Sequence, residues 1–161
     1  MNKIICTAKI ICALIVFTLF GGVASAQTPP DSWQGAMTIR TLSAGCTQDD
    51  AFRIGKIAFA VYKPLSGGTR LQFVFDRTAA NYLKTGTGQM KGAGSYTATK
   101  LGSRAGVTQF SGTFSIVQSP ATVVATTPNV ILTGSFTNFH DKTGCTVGFT
   151  ALMTKRPANS D

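Results

Sequence analysis

One histidine and six aspartates are the side chains best suited to acid–base chemistry, because the chain contains no glutamate. His140 is the only histidine, and Asp141 follows it directly. A histidine beside a carboxylate can serve as a general base or as a metal ligand. The same pair also suits a turn between two strands, where aspartate tolerates the backbone geometry. One histidine cannot supply a metal cluster, so we predict a turn here and no metal site.

The other carboxylates form no recognisable catalytic or ligating pattern. Asp49 and Asp50 are adjacent, but they lack the alternating ligands of a calcium loop and indicate a solvated loop. A glycosidase needs two carboxylates across a cleft, and nothing in the sequence pairs them. The chain has no nucleophile elbow, P-loop or dinucleotide fingerprint. We therefore predict a non-catalytic protein without a cofactor, and keep a hydrolase that uses aspartates and His140 as the alternative.

Residues 1–26 have the parts of a cleaved signal peptide. Lys3 and Lys9 give a positive start, residues 10–20 are almost wholly apolar, and Ala24-Ser25-Ala26 is a small-residue cleavage site. The apolar run is shorter than the roughly 20 residues of a membrane span. We predict a signal peptide over residues 1–26, one domain over residues 27–161 without a membrane span, and a periplasmic or secreted location.

Two of the four cysteines, Cys46 and Cys145, remain after this cleavage. An even number of cysteines in an oxidising compartment predicts a disulfide, whereas two buried free thiols are the other interpretation.

The composition and periodicity are those of an all-β protein. Thr, Val, Phe and Gly are plentiful, and apolar residues alternate with polar ones in most of the extended runs. The predicted strands cover residues 32–41, 53–63, 69–76, 81–87, 95–101, 108–117, 130–138 and 145–155. In the second run we expect Ile57, Phe59 and Val61 to face inward.

About eight strands joined by hairpin-like turns predict a single antiparallel up-and-down β-barrel, with a β-sandwich as the alternative. We favour the barrel because the first and last strands are strongly patterned and the two cysteines lie near them. This arrangement fits terminal strands that meet and remove the exposed edges of the sheet.

Trp33 and Gly35, at the opening of the first strand, resemble the start of calycin barrels: lipocalins, avidins and the small bacterial protease inhibitors. The Gly-x-Trp order of that family is absent, since Asp31 and Ser32 precede Trp33. The resemblance implies a barrel whose end is plugged by Trp33, and it implies no ligand-binding residues.

The charge distribution is lopsided. The chain after cleavage carries thirteen basic residues against six aspartates, a net charge of +7, and no acidic residue lies between Asp76 and Asp141. Such a span is typical either of an anion-facing surface or of scattered solubilising charges. The candidate anion-facing residues are Lys84, Lys91, Lys100 and Arg104. An anionic envelope surface is the expected partner of such a face, and export argues against nucleic acid.

The phenylalanines add a second functional clue. Nine remain after cleavage, mostly at inward positions, and an eight-stranded barrel can be packed solid or can hold one small ligand. We therefore expect an exported binding protein that takes a small apolar ligand or a protein partner at the barrel mouth and loops. A structural envelope protein is a further alternative.

Overall fold

Eight antiparallel strands close into one barrel in the computed structural model, which describes residues 31–46, 52–65, 67–102 and 106–156. The expected signal peptide, Asp49, Asp50 and Arg104 lie outside the described residues. The strands are β1 (Trp33–Leu42), β2 (Ile57–Lys63), β3 (Arg70–Val74), β4 (Thr78–Lys84), β5 (Gly92–Gly102), β6 (Gly106–Ser119), β7 (Asn129–Phe136) and β8 (Val147–Lys155).

Each strand pairs with its neighbours in sequence, and β1 pairs with β8 to close the sheet. The β1–β8 register runs from Trp33 opposite Lys155 to Leu42 opposite Val147, with an irregularity between Ile39 and Thr41. The predicted up-and-down barrel is therefore confirmed, and the β-sandwich is wrong. We call the end where β1 begins the Trp33 end, and the end where β1 finishes the disulfide end.

The strands are strongly tilted to the barrel axis. A row of directly opposed residues can be followed from strand to strand around the barrel. The row that starts at Val107 on β6 comes back to β6 at Ser119, so one circuit shifts the register by twelve residues. Such a stagger is what closure of a tilted sheet requires. The row consists of outward, apolar residues: Val107, Leu101, Ala79, Val74, Phe59, Ala36, Leu152 and Ile131.

Aromatic rings and small residues share the barrel interior. The largest fully buried side chains include Trp33, Tyr62, Phe73, Tyr82, Tyr96, Phe136, Phe139 and Phe149. The Phe136 ring stacks on Phe149 with centroids 5.4 Å apart and lies 4.6 Å from the ring of Tyr82. Alanines at inward positions leave space for these rings, as the alternation of large and small residues in small barrels requires.

The predicted inward face of the second strand is wrong. Ala58, Ala60 and Tyr62 face the interior, whereas Ile57 is 62% exposed and Phe59 is 48% exposed. Both faces of this strand are apolar, so alternation alone could not orient it. Pairing orients it instead, because Ala60 lies opposite Gly35 on the inward face of β1. In the middle of the chain, β4 begins and ends three residues earlier than predicted, and β5 is longer than predicted at both ends.

The predicted disulfide joins Cys46 to Cys145. It ties the connection after β1 to the segment before β8, so it reinforces the closing pair of strands at the disulfide end. A one-turn 3₁₀ helix, Phe139–Asp141, lies in the β7–β8 connection. Within the described ranges, no helix has the length and apolar character of a membrane span.

Replacing Cys46 and Cys145 together with alanine should lower the free energy of unfolding by up to about 4 kcal/mol, because the bridge closes a long loop in the unfolded chain. The two cysteines are 99 residues apart. Urea denaturation of the wild type and the double variant would measure this, and alkylation with mass spectrometry would confirm that the wild-type thiols are paired. An unchanged urea midpoint would contradict the prediction.

Candidate functional site

Trp33 lies fully buried at one end of the barrel, where β1 begins. Its indole Nε1 donates a 2.8 Å hydrogen bond to the backbone oxygen of Thr127, in the β6–β7 connection. That connection lies over the barrel end and buries its own Val123 there. The indole therefore links β1 to the β6–β7 connection, which closes the Trp33 end.

A network of polar side chains completes this end. The Tyr62 hydroxyl donates to Gln118 Oε1 at 2.6 Å and accepts the backbone N–H of Met90 at 3.2 Å. Gln118 Nε2 donates to Gln89 Oε1 at 2.8 Å, and Gln89 Nε2 donates to the Val123 oxygen at 2.6 Å. Burial raises the pKa of Tyr62 far above its usual range, so the phenol stays neutral. These bonds bind the β4–β5 and β6–β7 connections together and close the end.

The disulfide end is closed by the turn that the sequence predicts around His140. Asn138, His140 and Asp141 all have positive φ angles, a conformation in which asparagine, aspartate and histidine are enriched. Asn138 Oδ1 accepts the backbone N–H of Gly144 at 3.0 Å. The turn directs Phe139 and His140 into the interior, where both are fully buried.

The surroundings of His140 do not suit a catalytic base. Its Nδ1 lies 2.9 Å from the Tyr82 hydroxyl, which also accepts the His140 backbone N–H at 3.2 Å. Nε2 has no hydrogen-bond partner within the described part of the chain, and the ring packs against Phe52 and Phe75. Burial, with smaller contributions from the positive charges of two lysines, lowers the pKa of His140 to about 3. The imidazole is therefore neutral and shielded from solvent.

The structure separates the candidate anion-facing lysines. Lys84 and Lys91 lie at the Trp33 end, where their ammonium groups donate to the backbone oxygens of Thr87 and Ala121. Lys100 is near the other end of β5, and its Nζ donates to the His140 oxygen at 3.3 Å. It is half-buried and shares the inward face of β5 with Tyr96 and Ala98. These lysines bind nearby segments of the chain and do not form one surface.

A concave groove lies on the outer surface of the barrel. It has a volume of about 680 Å³ and crosses β3, β4, β5 and β6. Twisted barrels are waisted between their flared ends, and this groove lies on such an outer face. We call it the outer groove; its lining is Arg70, Asn81, Leu83, Thr97, Ala98, Thr99, Gln109, Phe110 and Ser111.

Strand register brings the polar residues of the outer groove together in two rows. Asn81, Thr99 and Gln109 are cross-strand partners in one row. The second row consists of Arg70, Leu83, Thr97 and Ser111. The side chains of Arg70, Asn81, Thr97, Thr99 and Gln109 form no hydrogen bond or ion pair with any described residue. Their polar groups are available to a ligand.

A second outer concavity, of about 480 Å³, lies beside it on β5, β6 and β7. There the hydroxyls of Thr113 and Thr137 lie 3.2 Å apart, and Thr137 Oγ1 also accepts the backbone N–H of Thr113 at 2.9 Å. The hydroxyls of Thr113 and Thr137 are thus used within the protein, unlike those of Thr97 and Thr99 in the outer groove.

The outer groove was not identified from the sequence. Alternation could have placed Thr97, Thr99, Gln109 and Ser111 on the solvent side of their strands. No sequence signal aligns those strands with Asn81 and Arg70, because alignment depends on register. Among the described residues, no group of three or more His, Cys, Asp or Glu side chains could hold a metal ion. No protein-family model, curated protein or solved structure matches this chain.

Trp33→Ala should lower the free energy of unfolding by about 3–5 kcal/mol, because it leaves a cavity at the closed barrel end. Trp33→Phe should cost about 1–3 kcal/mol, since it keeps most of the ring but leaves the Thr127 oxygen without its donor. Gln34→Ala, next in sequence and facing outward, is the control and should change stability by less than about 0.5 kcal/mol. Urea denaturation measures all three, and a loss below about 1 kcal/mol for Trp33→Ala would contradict the end-plug role.

The buried His140 should make the protein less stable as the pH falls from about 6.5 towards 3. Below about pH 6.5, the ordinary pKa of histidine, His140 is protonated in the unfolded chain but stays neutral in the folded chain. Proton binding therefore stabilises the unfolded state, and the free energy of unfolding falls with decreasing pH. Between pH 7 and 4.5 we expect a loss of about 2 kcal/mol in urea denaturation. His140→Gln should be less stable at pH 7 but should lack this loss. An equal pH dependence in both proteins would contradict the assignment.

Proposed function

We propose that this chain is an exported, non-catalytic binding protein with a calycin-type barrel, and that its ligand binds on the outside of the barrel. The observation that carries the proposal is the contrast between the ring-filled interior and the outer groove. Side chains from all around the sheet meet inside, whereas the polar side chains of the outer groove have no hydrogen-bond partner among the described residues.

The packing of the interior favours an external ligand over an apolar one inside the barrel. Phe73, near the middle of the interior, packs against the rings of Tyr82, Phe136 and Phe149 at centroid distances of 5.4–6.0 Å. Trp33 and Phe139 lie buried near opposite ends. A ligand inside would have to displace several of these rings, and each displacement would sacrifice close-packed contacts.

The volume of the outer groove also supports a binding role. Ligand sites commonly measure about 300–1,000 Å³ and combine apolar surface with a few convergent polar groups. The groove, at about 680 Å³, falls in this range. It presents Leu83 beside amide, hydroxyl and guanidinium groups.

The alternative of a hydrolase receives less support from the described residues. His140 is buried and held neutral, as described above. Asp76 forms a 2.7 Å ion pair with Lys56, and Asp31 lies 3.1 Å from Lys155. Neither aspartate lines the outer groove, and general acid–base catalysis requires a titrating group within reach of the substrate.

Export is part of the proposal because two independent features agree with it. Residues 1–26 have the pattern of a signal peptide, and Cys46 is bonded to Cys145. Disulfides persist in oxidising compartments and are rare in the cytosol. Both features support a periplasmic or secreted location.

Blocking the outer groove should abolish ligand binding without unfolding the barrel. Thr97→Trp places a bulky ring among the lining residues, and Thr133→Trp is the matched control on the outer face of β7. We expect at least one ligand in a panel of polysaccharides and peptides to bind the wild type and Thr133→Trp but not Thr97→Trp, and to be recovered intact.

Two results would contradict the proposal. Cleavage of a bound panel ligand would indicate an enzyme. Saturable uptake of a fluorescent apolar probe that Thr97→Trp does not affect would place the ligand inside the barrel.

A further inference from the structure

We infer that the outer groove binds an acidic polysaccharide, an inference that rests on the proposed binding function. The lining groups, their charge and the geometry of the sheet beneath them all point to a hydroxylated chain that carries carboxylates.

The charge of the groove favours an anion. The strands β4, β5, β6 and β7 lie wholly within the span between Asp76 and Asp141 that has no acidic residue. Arg70 lies at the β3 side of the groove, with Lys63 as its cross-strand partner on β2. A guanidinium can bind a carboxylate through two parallel hydrogen bonds. A carboxylate bound beside Arg70 would therefore accept hydrogen bonds from its guanidinium and would meet no negative charge on β4, β5 or β6.

The neutral lining groups suit sugar hydroxyls. The amides of Asn81 and Gln109 each offer donors and an acceptor, and the hydroxyls of Thr97 and Thr99 both donate and accept. A sugar hydroxyl has the same dual character and can pair with any of them. Leu83, near the centre of its row, presents an apolar surface to the C–H face of a sugar ring.

The shape of the site favours a polysaccharide over a peptide or a membrane. The groove crosses three inter-strand spacings, roughly 14 Å, which suits a short length of a linear polymer. Its floor is the face of a sheet whose backbone groups already pair within β3–β6, so a peptide cannot add a strand there. A membrane surface is broad and flat, and it cannot follow a concave site of this size.

The test is the binding of polygalacturonate to the full mature chain, measured by biolayer interferometry, with dextran as the neutral polymer and dextran sulfate as a polyanion without carboxylates. We expect polygalacturonate to bind more tightly than either comparison polymer. Arg70→Gln should weaken that binding by about tenfold or more, because it removes a charge-assisted hydrogen bond. Arg40→Gln, an exposed cation on β1 outside the groove, is the matched control and should stay within about twofold.

The outcomes separate this inference from the proposed function. If a neutral polysaccharide or a peptide binds and Thr97→Trp abolishes it, but polygalacturonate does not bind, the acidic-polysaccharide inference is wrong and the outer groove remains a binding site. If Arg70→Gln and Arg40→Gln weaken polygalacturonate binding equally, or dextran sulfate binds as well as polygalacturonate, the attraction is unspecific and the inference is also wrong. If Thr97→Trp changes the binding of no ligand, both proposals fail.

Discussion

The pairing of β1 with β8 is the constraint on which the rest of the structure depends. It converts a sheet of eight strands into a barrel and so removes both exposed edges. Closure also fixes the tilt of the strands and the volume that their inward side chains must fill. The Cys46–Cys145 bridge lies beside this pair, so the covalent constraint and the hydrogen-bond ladder reinforce the same seam.

The interior of a closed barrel of this size is small, and aromatic side chains fill it. Tyr82 illustrates the packing, because it contacts Phe136 and Phe139 through its ring and His140 through its hydroxyl. The two ends are closed differently: hydrogen-bonded connections cover Trp33, whereas a tight turn places Phe139 and His140 over the other opening. Polar groups are buried where they close the two ends, and His140 is one of them: it is buried, neutral and bonded to Tyr82.

Because the interior is filled with mostly apolar side chains, most of the polar side chains lie on the outer face of the barrel. An apolar row winds around the barrel through Phe59 and Leu152, and rows of polar residues run beside it. Between β3 and β6 the polar rows line the outer groove, and β4, β5 and β6 lie wholly within the acid-free span. Charge and concavity therefore coincide on one side of the barrel, and this coincidence gives the surface its proposed specificity.

The sequence by itself determined the fold class, the number of strands, the disulfide and the inward faces of the well-patterned strands. These features depend on local alternation and on the pairing of two cysteines, which a single chain displays directly. Strand β8 shows this well, because Val147, Phe149 and Met153 are buried as its pattern predicts and Leu152, its one apolar outward residue, is 57% exposed.

Tertiary structure alone decided the orientation of β2, the roles of the lysines and the site. Ile57 and Phe59 face outward because cross-strand pairing and the volume of the rings outweigh hydrophobicity where both faces are apolar. The charges of Lys84 and Lys100 lie at opposite ends because position along a strand becomes position in space only when the register is known. The same register brings Arg70 and Gln109 into the lining of one groove, and residues so far apart in the chain carry no local signal that they share a site.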